Sequence, residues 1–164
     1  MAEVDERGEF SRIKAQADKV YRSVVRAKCP ALNAEVNFSS DGFHHLQYNS
    51  SRVERSKEVQ RIKFLCLKDA IEVIKKTTTI QEYREAIQPV GKVGSHGFRS
   101  TKVVKYYGFV AITSFDKPRR IKVIIRKVGD GSYQFWSVMP SWREERINSS
   151  QSVRRVGDGT MLDD

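Results

Sequence analysis

Apolar residues at the start of the chain recur every three or four positions, which is the period of an amphipathic helix. This spacing predicts a helix over residues 5–28, with a buried stripe of Phe10, Ile13, Ala17, Val20, Val24 and Ala27. Pro30 ends the predicted helix, because the residue before a proline disfavours helical geometry. A second stripe predicts helical structure over residues 50–76, through Val59, Ile62, Cys66, Ala70 and Val73.

From Thr101 onward the apolar period changes to two, and strand-forming residues dominate. Three strands are predicted, over residues 101–113, 121–126 and 133–139, with a tight turn at Gly129-Asp130-Gly131. A short alternating stretch at 35–39 is a candidate for a further strand. The order predicts an α+β fold, with N-terminal helices packed on a C-terminal antiparallel sheet of three to four strands.

Two connecting regions carry local signals. Thr79-Ile80-Gln81-Glu82 is a capping box, which predicts a short helix through Ala86. A flexible loop follows, because Pro89 precedes Gly91, Gly94 and Gly97. We therefore divide the chain into an N-terminal helix (1–34), a principal domain (35–142) and a polar C-terminal tail (143–164).

Composition narrows the class of protein. With 164 residues and 39% hydrophobic content, the chain has enough apolar surface for one core. No apolar run approaches the roughly 20 residues that span a bilayer, and the start has no apolar signal region, so we expect a cytoplasmic protein without membrane partners. Cys29 and Cys66 form no CxxC pair and predict reduced core thiols rather than zinc ligands. No nucleotide-binding motif occurs, and we expect neither cofactor nor metal.

Charge gives the first indication of a ligand. The net charge is +10, and residues 91–128 hold a single acid, Asp116, against ten bases: Lys92, Arg99, Lys102, Lys105, Lys117, Arg119, Arg120, Lys122, Arg126 and Lys127. A localised basic block is typical of a surface that binds a phosphate backbone. We therefore expect a polyanion partner, above all RNA, with a merely solvated surface as the alternative.

Several side chains suit RNA cleavage without metal, in which the 2′-hydroxyl attacks the adjacent phosphate. Histidine suits the proton transfers, so His44 and His45 are candidates, and His45 is favoured. Lys105 is a candidate catalytic cation, and Ser137 is a hydroxyl within an apolar strand. Four further bases are candidates for binding the substrate phosphate: Lys102, Arg120, Lys122 and Arg126.

Three segments together resemble phage and mobile-element nuclease domains of the barnase–EndoU–colicin–RelE-like group. They are 42–46 (GFHHL) leading into 61–65 (RIKFL), 121–126 (IKVIIR) and 135–140 (FWSVMP). The resemblance covers roughly residues 35–142. It implies helices packed on an antiparallel sheet, with metal-independent RNA cleavage on the open sheet face.

The resemblance also implies roles for individual residues. Members of the group use a histidine from the helical part, which here matches His45. They add a positively charged residue from an early strand, here Lys105 or Lys122, and a hydroxyl from the last strand, here Ser137. Arg126 is a further phosphate clamp. A carboxylate base such as that of barnase has no clear counterpart, which leaves His45 to serve.

The expected function is a toxin- or effector-type endoribonuclease acting on tRNA, mRNA or rRNA, with an antitoxin or immunity protein as a possible partner. The main alternative is a non-catalytic RNA- or ribosome-binding module that uses the same basic face. A third interpretation is a protein-interaction domain whose charge meets an acidic partner.

Overall fold

A computed structural model describes residues 2–113, 118–141, 144–146 and 153–155. The elements follow in the order α1 (Ala2–Ser23), β1 (Arg26–Cys29), a 3-10 turn (Pro30–Leu32), β2 (Ala34–Asn37), α2 (Ser40–Gln47), α3 (Lys57–Lys76), β3 (Glu82–Val90), β4 (Ser100–Thr113), β5 (Arg119–Val128), β6 (Tyr133–Pro140), β7 (Glu144–Arg146) and β8 (Val153–Arg155). The predicted α+β class, with its helices in the N-terminal half, is confirmed.

The main sheet has six strands in the order β1-β2-β6-β5-β4-β3, rather than the three to four that were predicted. Most pairs are antiparallel, but β2 runs parallel to β6, so the sheet is mixed. That contact is short, because only Val36 and Asn37 find partners, in Tyr133 and Gln134. Beyond Gln134, β6 therefore has no described strand on its β2 side.

One predicted helix is too long at its C-terminal end, and another is absent. The first helix ends at Ser23 rather than 28, and Arg26–Cys29 forms β1 with alternating exposure. Residues 79–86 do not form a helix either, because Glu82–Val90 is strand β3. Nine consecutive residues of β3 pair with β4, and this continuous ladder outweighs a local capping signal.

Helix α2 contains the Gly-Phe-His-His-Leu segment and lies against β6. Gly42 permits this contact, because a Cβ there would be 2.5 Å from both the Phe135 carbonyl oxygen and the Tyr21 hydroxyl. The Tyr21 hydroxyl itself donates to the Ser39 carbonyl at 2.6 Å, next to the start of α2. The absence of a side chain at residue 42 thus sets how closely α2 approaches the sheet.

The core lies between the helices and one face of the sheet. Helix α3 contributes buried residues on one stripe, and α1 packs on α3, with the Phe10 and Phe64 ring centroids 6.1 Å apart. The α3 start is capped by Ser56, whose hydroxyl accepts a hydrogen bond from the Val59 amide. Cys29 and Cys66 are free and buried, as predicted.

The segment predicted as a tail contains one described feature, the antiparallel pairing of β7 with β8. Its other residues, 143, 147–152 and 156–164, lie outside the described part of the chain. No helix in the described part is both long and apolar enough to cross a membrane.

Gly42→Ala is expected to lower the free energy of unfolding by about 1–3 kcal/mol, because the new methyl group overlaps β6 and Tyr21. Chemical denaturation measures this change. Gly8→Ala is the matched control, since a Cβ there meets nothing within 4 Å in α1, and it should stabilise the protein by about 0.5–1 kcal/mol. Equal effects at both positions would contradict the close approach of α2.

Both thiols are expected to react slowly with a disulfide reagent at neutral pH while the protein is folded. Burial raises the pKa of the Cys29 thiol and of the Cys66 thiol, so little of the reactive thiolate is present. A colorimetric thiol assay should count two rapidly reacting groups only after denaturant is added. A thiol that reacts in native protein as fast as in denaturant would contradict its buried position.

Candidate nucleic-acid interface

The two faces of strands β3, β4 and β5 differ in charge and in partner. Side chains alternate along a strand, and Phe109, Ile121 and Val123 belong to the core under the helices. The residues between them point the other way and form a second buried cluster of Val104, Tyr106 and Ile124. The register places five bases and one acid, Glu82, on this second face, which we call the basic face: Arg84, Lys102, Arg120, Lys122 and Arg126.

The four bases predicted to bind phosphate thus share one face of the sheet, whereas Lys105 does not. Lys105 stands opposite Glu85 in the register, and its ammonium lies 3.9 Å from that carboxylate on the helix side. Lys102 and Lys105 approach each other only at the end of the sheet, where both line an open cleft with Gly129-Asp130-Gly131. Lys105 therefore shares a cleft with Lys102 but lies on the opposite face of the sheet from Lys122 and Arg126.

A bulge in β6 places Trp136 beside the basic face, next to Arg126. Ile124 pairs with Ser137 and Ile125 with Phe135, so Trp136 is an extra residue with no partner in the ladder. Its ring packs against the second cluster. Bulges re-aim side chains and are common beside functional sites. The bulge here brings the indole ring to Arg126.

Arg126 and His45 both stack on this indole. The Arg126 guanidinium carbon lies 4.1 Å from the ring centroid, and the His45 ring lies at 4.1 Å with an interplanar angle of 22°. Arg126 Nε is buried and has no hydrogen-bond acceptor. A buried donor without an acceptor costs about 1–3 kcal/mol. The arginine is therefore held in place by stacking while one of its N–H groups remains unsatisfied.

His45 is buried inside this arrangement and only 4% exposed. Arg55 donates to its carbonyl oxygen at 3.2 Å, and an Arg55 terminal nitrogen lies 3.4 Å from His45 Nε2. Because guanidinium groups only donate, this contact favours the neutral imidazole with Nε2 as acceptor. His44 is exposed and stacks on Tyr48 at 4.4 Å. The two histidines therefore have different surroundings, and His45 supports Trp136.

Ser137 is also an interior residue, with no exposed surface. The buried Lys63 ammonium of α3 donates to the Ser137 hydroxyl at 3.0 Å and to the Val138 carbonyl at 3.2 Å. These atoms lie along the part of β6 that β2 does not cover. A buried ammonium requires such partners, because desolvation without them is costly. Lys63 was not predicted from the sequence, because it lies among apolar residues of a helix and no motif marks it.

Glu82 is the acid that sequence reasoning missed on the basic face. Its carboxylate lies 2.9 Å from the Lys122 ammonium, whose side chain is only 7% exposed, while that of Glu82 is 39% exposed. Gly108 stands opposite Glu82 on β4 and carries no side chain that would separate the pair. The capping-box interpretation had assigned Glu82 to a helix. Its place in a strand follows from the pairing of β3 with β4.

The described residues include no cluster of three or more histidine, cysteine, aspartate or glutamate side chains that could hold a metal ion. No protein-family model, curated protein or solved structure significantly matches the chain. The chemistry of this face must therefore be argued from its own side chains.

Glu82→Ala is expected to lower the free energy of unfolding by about 1–3 kcal/mol, because it removes the carboxylate next to the buried Lys122 ammonium. Thermal or chemical denaturation measures the change. Glu35→Ala is the matched control, because the Arg26–Glu35 pair also joins two strands but is 61% exposed on both sides, and its loss should cost less than about 0.5 kcal/mol. An equally small effect at Glu82 would contradict a tight pair on the basic face.

Proposed function

We propose that this protein is an endoribonuclease that binds RNA on the basic face and cleaves it without a metal ion. The observation that carries the proposal is the Arg126 guanidinium, stacked on Trp136 with a buried N–H that has no acceptor, on the same face as the Glu82–Lys122 pair. RNA cleavage requires a cation that binds the phosphate and a base that takes the proton of the 2′-hydroxyl. Arg126 and Glu82 are the candidates for these two roles.

Phosphate binding is supported by the way Arg126 is held. Its stack on the indole fixes the plane of the guanidinium before a ligand arrives, which reduces the entropy lost on binding. Phosphoryl oxygens accept hydrogen bonds from guanidinium groups in a forked geometry. Arg84, Lys102 and Arg120 add positive charge on the same face. A phosphate of an RNA strand would accept hydrogen bonds from the terminal nitrogens of this guanidinium.

Cleavage is supported by Glu82, which supplies the carboxylate that the sequence resemblance lacked. In the proposed reaction this carboxylate takes the proton of the 2′-hydroxyl, which attacks the adjacent phosphate. The bond from phosphorus to the 5′-oxygen breaks, the 5′-oxygen takes up a proton from solvent water, and a 2′,3′-cyclic phosphate remains. Arg126 stabilises the negative charge that builds on the phosphoryl oxygens. The buried Lys122 ammonium lies 2.9 Å from the Glu82 carboxylate and holds it in position.

The proposal changes the roles expected for His45 and Ser137. His45 is buried against Trp136 and held by Arg55, so it acts as a positioning residue for the indole and, through it, for Arg126. Ser137 serves as an acceptor for Lys63. An active endoribonuclease damages its own cell, so the proposal also includes a protein inhibitor that covers the basic face.

A second candidate function is RNA binding without cleavage. It is favoured by one specific observation: the two residues expected to transfer protons or contact the phosphate, His45 and Ser137, have almost no exposed surface. The same stacked arginine and the same lysine and arginine side chains would bind RNA in this function. Only the role of Glu82 as a proton acceptor would be lost.

The test is incubation of the purified protein with RNA in EDTA, comparing wild type with Glu82→Gln, Arg126→Ala and Lys76→Ala. Glu82→Gln should reduce cleavage about 100-fold or more while RNA affinity stays the same or rises. Arg126→Ala should lose both cleavage and affinity. Lys76→Ala also removes one positive charge, but from the far end of α3, and should behave like wild type.

Cyclic-phosphate fragments that vanish in Glu82→Gln support the endoribonuclease. Tight, salt-sensitive binding without fragments in any variant supports the second candidate. Both functions are wrong if the wild type neither cleaves nor binds RNA. Circular dichroism at the assay temperature ensures that each variant compared is folded.

A further inference from the structure

The hairpin of β3 and β4 extends beyond the rest of the sheet. Strand β5 ends at Val128, opposite Val104, while β3 and β4 continue through four more pairs, from Ile87 with Val103 to Val90 with Ser100. At about 3.3 Å per residue, this two-stranded extension adds about 13 Å before its loop begins. We call residues 87–103 the arm.

The tip of the arm is a structured loop whose residues are all exposed. Gly94 donates to the Phe98 carbonyl at 2.9 Å, and Gly97 donates to the Gly94 carbonyl at 3.0 Å. Gly91 and Gly97 take positive φ angles of 75° and 78°, which glycine adopts without strain. The loop therefore has a defined turn that presents its side chains outward.

The arm combines positive charge with exposed apolar side chains. It carries Lys92, Arg99 and Lys102 and no acidic residue. Phe98 is 80% exposed and Ile87 is 77% exposed. An exposed ring beside cations is the combination that single-stranded nucleic acids bind, because bases stack on the ring and phosphates meet the charges.

We propose that the arm is a second RNA-binding element, which holds single-stranded RNA upstream or downstream of the nucleotides bound at Arg126. This inference rests on the proposed function, because it assigns the arm to the same substrate. In it, a base stacks on Phe98 while Lys92 and Arg99 bind flanking phosphates. The enzyme then selects RNAs that have an unpaired stretch long enough to reach both the arm and Arg126.

The distance between the two elements makes the inference measurable. Tyr106 stands opposite Arg126, and six residues of β4 separate it from Ser100, which corresponds to about 20 Å. A dinucleotide cannot span this distance, whereas a 20-nucleotide single strand can. Only the longer RNA can therefore contact the arm and Arg126 at the same time.

Pairing of the β3 edge with another protein strand is the competing use of this region. Two features of the edge disfavour pairing with another strand. Pro89 lacks an N–H group, and Glu82, Arg84 and Glu85 place charges along β3. The uniformly positive tip favours a polyanion instead. A protein partner is thus the outcome that remains if RNA binding does not depend on the arm.

The experiment measures affinity for a fluorescent 20-nucleotide oligouridine and for a dinucleotide, as a function of salt. Phe98→Ala should weaken binding of the 20-mer about 5- to 100-fold with an unchanged salt slope, because it removes a stacking surface. Lys92→Gln/Arg99→Gln should weaken binding of the 20-mer. It should also reduce the slope of log affinity against log salt by about 0.7 for each positive charge removed. Val53→Ala, which also removes an exposed apolar side chain, is the control and should match wild type.

The outcomes separate the arm from the proposed function. Loss of 20-mer affinity in the arm variants, with dinucleotide binding retained, supports the inference. Wild-type affinity of the arm variants for the 20-mer overturns it and points to a protein partner for the arm. If the wild type itself binds neither RNA, the proposed function fails and the arm inference fails with it.

Discussion

Helix α2 approaches β6 so closely that this contact positions the side chains of the candidate site. Strand β2 leaves β6 after Gln134, and α2 lies against the backbone of Phe135, where only a glycine at position 42 fits. This approach places His45, three residues later, over Trp136. The indole in turn stacks on Arg126. The lack of a side chain at Gly42 therefore helps to determine the position of the Arg126 guanidinium on the sheet.

The polar residues around this contact divide into two groups with different tasks. Lys63 and Ser137 satisfy each other inside the protein, and Arg55 satisfies His45. Arg126 belongs to the other group, because stacking holds it while its Nε has no acceptor. Residues that are fully satisfied within the fold stabilise it, and the one that is not is the better candidate for contact with a ligand. For this reason we assign the contact with the RNA phosphate to Arg126 rather than to His45.

The sequence predicted what depends on local periodicity, and it failed where pairing with the next strand overrode a helical signal. The strands near residues 101–113, 121–126 and 133–139 and the helix within 50–76 were found, because each has a long and regular apolar pattern. Strand β1 continues the helical apolar pattern of α1, and β3 begins within a capping box. Each is a strand because it pairs with the strand that follows it, β2 or β4. The same error in β3 concealed Glu82.

The candidate site was predictable to a similar extent. The alternation along β4 and β5 was enough to put Lys102, Lys122 and Arg126 on one face and Lys105 on the other, once the pairing is known. The stack of His45 on Trp136 could not be predicted, because it depends on a one-residue bulge in β6 and on the packing of α2. Burial of His45 and Ser137 likewise follows from tertiary contacts alone.

The most direct test of the central claim is crosslinking of a 4-thiouridine RNA strand to the protein under ultraviolet light, with the attached peptides identified by mass spectrometry. The account predicts crosslinks to β4, β5 and β6 around Tyr106, Arg126 and Trp136, which disappear in Arg126→Ala. Crosslinks confined to α1 and α3, on the opposite side of the sheet, would contradict the claim that the basic face binds RNA.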